Sequence, residues 1–181
     1  MLLLTHSDDM RVNNIEQEQV SKTVEEFKAV PDKAVKTISV EGVWLLDNPS
    51  VQFVATAKSE NNVFNLEVDS PSFLGGSGSR PGPMHYCLIG LSSCFMATLV
   101  GVATEKGILL KKAAVRASCV IDFRKPLGIG DTKPVRSIRF ELSLESDASR
   151  QRLEEVVKEA EERCPAIYSL KNPLTPEIAL L

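Results

Sequence analysis

The stretch PGPMHYCLIGLSSCFMATLVGVAT, residues 81–104, decides the fold. It contains no Asp, Glu, Lys or Arg and is long enough to cross a bilayer. It also carries His85, Ser92, Ser93, Thr98 and Thr104, with glycine at 90 and 101. The rest of the chain reads as soluble α+β structure that needs an apolar element to pack on. We therefore expect a buried central helix over residues 83–105 rather than a membrane span. Pro83 suits the first helical position, where its missing N–H costs nothing. Gly107 suits the stop.

Upstream of this helix lies a Gly- and Ser-rich loop, residues 75–83. Pro81 breaks a G-x-G-x-x-G reading and no G-x-x-x-x-G-K is present, so the loop is not a phosphate cradle. Its expected task is a tight approach into the helix. Before it, residues 37–46, 51–58 and 63–68 read as three strands of a meander, with turns at 47–49 and 60–62. Asn14 is placed to cap a helix ending near Val30, with Ile15, Val20, Val24 and Phe27 on one side and Pro31 closing it. Residues 1–11 read as a loose tail.

Downstream, Val115, Ala117, Cys119, Ile121 and Phe123 alternate with polar neighbours, and Ile138, Phe140, Leu142 and Leu144 do the same. Both patterns predict strands with one apolar face. Leu153, Val156, Val157, Ala160 and Cys164 then form a helical stripe opposite acidic and basic positions. Residues 174–180 are expected to form a short final strand, at an edge because of Pro176.

Composition removes several function classes. A net charge of −3 and the lack of a Lys/Arg block argue against nucleic acid as a partner. Four cysteines in 181 residues do not suggest a secreted disulfide scaffold. The opening Met-Leu-Leu-Leu is too short for a signal segment and runs into Asp8 and Asp9, so a cytoplasmic, thiol-reducing location is expected. No metal is expected: there is no C-x-x-C, the histidines are His6 and His85, and His85 and Cys87 do not share a helix face. A serine triad is poorly supported, since no G-x-S-x-G appears and His6 lies in the tail.

The cysteines carry the remaining signal. On the central helix Cys87, Gly90, Cys94, Ala97, Thr98 and Gly101 share a face of small residues, which suits close packing. Cys87 and Cys94 are about 10 Å apart along the axis and cannot bridge within the helix, so Cys87 is expected to be core. Cys119 reads as a structural thiol on an apolar strand face. Cys164 extends the buried stripe of its helix and stands directly before Pro165. If Pro165 opens a new turn, Cys164 is its N-cap, where free amides favour a thiolate. Cys94 and Cys164 can meet only through the tertiary fold, an arrangement that suits a redox couple better than a disulfide framework or a metal site.

Residues 64–83, followed by Gly90-Leu-Ser-Ser-Cys94-Phe, resemble the OsmC/Ohr family of osmotically induced and organic-hydroperoxide-resistance proteins. Arg163-Cys164-Pro165 with the apolar run 174–180 is similar to the family's second cysteine motif. The likeness covers about residues 50–181. It assigns 47–181 to an OsmC-like domain and 1–46 to an N-terminal tail, helix and first strand that extend it within one compact domain.

The resemblance implies an α+β fold and an intertwined homodimer, with long central helices enclosed by antiparallel sheets. It implies thiol-dependent reduction of organic peroxides without a cofactor, with Cys94 as the peroxidatic and Cys164 as the resolving thiol. The implied partners are a second copy, a small apolar peroxide and an external dithiol. The family also uses a glutamate just before the central helix and an arginine from an early strand. Here Met84 and His85 stand in the first place, and Lys58 is the nearest cation in the second, with Arg80 another from the loop. Burial raises a thiol pKa, so one of Lys58, Arg80 or His85, from either chain, is expected to offset it in a competent peroxidase. His85 alternatively is a polar residue of the first helical turn. Two readings of the whole chain stand: a thiol peroxidase, or a non-enzymatic OsmC-like binding or redox-sensing protein that has lost the Arg/Glu partners.

Overall fold

The structure is a computed structural model that describes residues 11–180. In order, the elements are β1 (Arg11–Val12), β2 (Ile15–Glu16), α1 (Gln17–Ala29), β3 (Val40–Trp44), β4 (Phe53–Lys58) and β5 (Val63–Val68). They continue with α2 (Pro83–Glu105), β6 (Leu110–Ile121), β7 (Val135–Ser146), α3 (Arg150–Arg163) and α4 (Pro165–Lys171). All strand pairs are antiparallel, so the class is α+β as expected. The described residues divide into two compact units, 22–87 and 11–21 with 88–180.

In the first of these units β3, β4 and β5 form a three-stranded meander. Its turns fall where Asn48 and Pro49, and then Asn61 and Asn62, break the alternation. The loop after β5 folds around Asp69, which is almost wholly buried. Ser77 Oγ and the Ser79 backbone N–H donate to Asp69 Oδ2 at 2.6 and 2.9 Å. These donors hold the carboxyl below the ordinary aspartate range, the Ser77 bond most of all. Gly76 is required by this closure: a Cβ there would stand 1.9 Å from the Ser70 carbonyl oxygen.

The other unit holds the core. Phe95, Leu99, Val102 and Ala103 of α2 pack with Ile108, with Val156 and Ala160 of α3, with Cys164, and with Ile167 of α4. Phe140, Leu142 and Leu144 of β7 flank them, on the face their alternation predicted. Phe95 and Phe140 rings meet at 5.9 Å between centroids. Gly107, at φ 66°, ends α2 as expected. Ser149 caps α3, its side chain accepting from the Arg152 N–H.

Four expectations need correction. Asn14 does not cap a helix: Asn13 and Asn14 have φ of 53° and 64° and form the two-residue turn of the β1–β2 hairpin, a geometry asparagine tolerates. The helix starts later, at Gln17. Residues 174–180 run without regular secondary structure, and Leu174, Ile178 and Leu180 are exposed, so the expected final strand does not form among the described residues. Central burial holds for only part of α2. Its bounds are those expected and it is long and apolar enough to cross a membrane, but its buried residues are Phe95, Leu99, Val102, Ala103 and Thr104, all in the second half. Cys87, expected in the core, is exposed.

Candidate active site

Cys94 stands near the middle of α2, one position before the buried Phe95. Cys164 ends α3 and begins α4: its N–H donates to Ala160 O at 2.9 Å, and its C=O accepts from Tyr168 N at 2.8 Å. The proline after it explains the corner. Pro165 lacks the N–H needed to continue α3 but is pre-formed for the first position of α4. The Cys164 side chain is fully buried, and its sulfur lies 3.7 Å from that of Cys94.

Both cysteines are free thiols at non-bonded contact. Burial pushes the Cys94 thiol above the ordinary range. The backbone N–H of Ala166 works against that, and the Cys164 sulfur adds to the upward push. The amide is available because Pro165 has no N–H, so Ala166 supplies the first free donor of α4. Sequence reasoning had aimed that donor at Cys164 itself. The Cys-Pro pair was the signal, but only the fold shows which sulfur the amide faces.

The three candidate cations lie in residues 22–87. Lys58 is the exposed last residue of β4. Arg80 pairs with Glu67, which raises its pKa. His85 is exposed, and its Nδ1 accepts from the Gly82 N–H at 3.1 Å. Of the other thiols, Cys119 is half-buried on β6 opposite Ile138.

A second polar cluster was not foreseen. Arg163, directly before Cys164, donates from Nη1 to Glu105 at 2.7 Å and to Glu159 at 2.9 Å. Lys106 Nζ meets the other Glu159 oxygen at 2.7 Å.

The OsmC-like protein family matches residues 76–179 of the chain, a span that holds both cysteines. The chain belongs to that family. Its fold is similar to that of an OsmC-like protein from Mycoplasma pneumoniae, at 22% identity and a TM-score of 0.58, over 76% of this chain and 89% of that one. It is also similar to an organic hydroperoxide resistance protein from Elizabethkingia anophelis, at 20% identity and a TM-score of 0.52, over 77% and 91%. At these identities the likeness is one of fold. No curated protein sequence matches significantly.

Proposed function

We propose that the protein is a cysteine-based peroxidase that reduces organic hydroperoxides with electrons from an external dithiol. The observation that carries this reading is the 3.7 Å contact between Cys94 and Cys164. The Cys94 thiolate attacks the distal peroxide oxygen. The O–O bond breaks, the alcohol leaves with a proton, and Cys94 becomes a sulfenic acid. Cys164 attacks that sulfur, water leaves, and a disulfide forms. A dithiol then reduces it by two exchange steps and is itself oxidised to a disulfide. The organic hydroperoxide resistance protein of the same fold supports the substrate class.

In this reading the protein works in the cytoplasm as a homodimer whose two α2 helices are enclosed by sheets. The exposed first half of α2, with Cys87, Ile89 and Gly90, is what a second copy would cover. Lys58, Arg80 and His85 remain the candidates to activate Cys94, from either chain.

The upward shift of Cys94 favours one rival reading: a non-enzymatic binding or redox-sensing protein of the same family. The deciding experiment is consumption of cumene hydroperoxide with dithiothreitol, by the wild type and by Cys94→Ser. Sustained turnover that disappears in Cys94→Ser supports the peroxidase. A single oxidation event without turnover supports the sensor, and no reaction at Cys94 supports the binding protein.

A further inference from the structure

The apolar packing of Leu99 and Val102 against Val156 and Ala160 holds α2 and α3 together, but apolar burial is non-directional. It does not by itself fix how far α3 slides along α2. A guanidinium with two carboxylate partners is directional. Arg163 reaches from the residue next to Cys164 to Glu105, which is on the same helix as Cys94. Its bond to Glu159 ties that reach to α3 itself, and Lys106 holds the second Glu159 oxygen. At the opposite end of α3, Arg152 Nη2 donates to the Lys106 carbonyl at 3.2 Å. The end of α2 is thus gripped from both ends of the helix that delivers Cys164.

This matters because the sulfurs must still approach. They stand 3.7 Å apart, and a disulfide needs about 2.05 Å. We propose that Arg163 is a positioning residue for the resolving step: paired with Glu105 and Glu159, it holds Cys164 where its sulfur reaches an oxidised Cys94. The inference rests on the peroxidase reading. In the step itself the Cys164 thiolate supplies the electron pair of the new S–S bond. The S–O bond of the Cys94 sulfenic acid breaks, and the leaving hydroxide takes a proton to become water. The competing reaction is attack of the sulfenate on a second peroxide, which gives a sulfinic acid and an alcohol. Arg163 therefore governs how the sulfenate partitions and leaves the first attack alone.

The test uses the full chain without reductant. Wild type, Arg163→Met and Arg163→Lys are exposed to graded cumene hydroperoxide, quenched with an alkylating agent and mapped by mass. Arg163→Met should raise the ratio of Cys94 sulfinate to Cys94–Cys164 disulfide about three- to fivefold, the scale of an ion-pair network near the surface. Loss of the first peroxide equivalent should keep its wild-type rate. Arg163→Lys should restore part of the partition. Salt at 0.5 M, roughly three times the physiological level, should move the wild type toward Arg163→Met and leave that variant unchanged, as screening of an exposed ion pair requires. An unchanged ratio in Arg163→Met, or an equal slowing of the first oxidation, overturns the inference while the peroxidase reading survives. If the wild type forms no Cys94–Cys164 disulfide at all, both fall.

Discussion

The sulfurs of Cys94 and Cys164 lie 3.7 Å apart although seventy positions separate them in the chain. One is carried by a helix interior and the other by a corner between two helices. The corner fixes the second sulfur from both sides, because the same residue closes α3 and opens α4 through its own backbone bonds. After one equivalent of hydroperoxide, mass mapping should find a bond between these two residues. Cys87, exposed in the single chain but on the half of α2 that the proposed dimer covers, should take no part in that bond, and Cys87→Ser should leave the Cys94–Cys164 disulfide intact. A disulfide to Cys87 or Cys119 within one chain would contradict this pairing.

The pH dependence of Cys94 follows from its surroundings. An ordinary thiol titrates near about 8.5, and burial moves Cys94 upward. Its alkylation rate should therefore climb tenfold per pH unit through neutrality without levelling off below about 8.5. In Cys164→Ser the neighbouring sulfur's upward push is gone, so the midpoint should fall. A midpoint that rises instead would mean that Cys164 stabilises the Cys94 thiolate.

Acid stability should depend on Asp122. It is nearly buried, and Arg124 and Arg136 both hold it, with the Arg124 bond the largest cause of its strongly lowered pKa. A lowered folded pKa contributes stability that is present above the unfolded value of about 3.9 and is lost as pH falls through the folded value. The melting temperature should therefore drop from about pH 4 downward. Asp122→Asn should lower it at pH 7 and flatten its acid limb. Parallel curves for the two proteins below pH 4 would refute the assignment.

The Asn13 side chain is a three-way clamp. It donates to Thr104 Oγ1 at 2.9 Å and to Ile108 O at 2.8 Å, and it accepts from Leu110 N at 2.8 Å. Asn13→Gly keeps the positive φ but leaves partly buried backbone groups unpaired. It should cost about 1–3 kcal/mol in urea unfolding. A change within about 0.5 kcal/mol, as for an ordinary surface position, would show that water replaces the clamp.

Much of this architecture was legible in the residues. Pro83 and Gly107 punctuate α2, and the alternation in β7 identifies the face that meets the core. The two cysteine motifs placed the chain in its family before any contact was known. What could not be read was axial position and partner. Helical arithmetic puts Cys87 and Cys94 on one face, but burial along α2 begins only near Phe95. Leu174, Ile178 and Leu180 make residues 174–180 an apolar run without naming a strand to pair with. Asn14 suited a helix cap, but with Asn13 it forms the β1–β2 turn, and the Asn13 side chain reaches Thr104, Ile108 and Leu110. Arg163 was visible merely as part of a motif, since its partner Glu105 is 58 positions away.

The Asn13 clamp also has a kinetic consequence. Its partners lie 91 to 97 positions along the chain, and two of them are the end of α2 and the start of β6. Closing so long a loop is favourable only after that corner has formed, so the hairpin docks late. An interaction absent from the transition state affects unfolding rather than folding. Asn13 thus acts as a latch: the refolding arm of a chevron would be nearly the same without it, while the native chain would open faster.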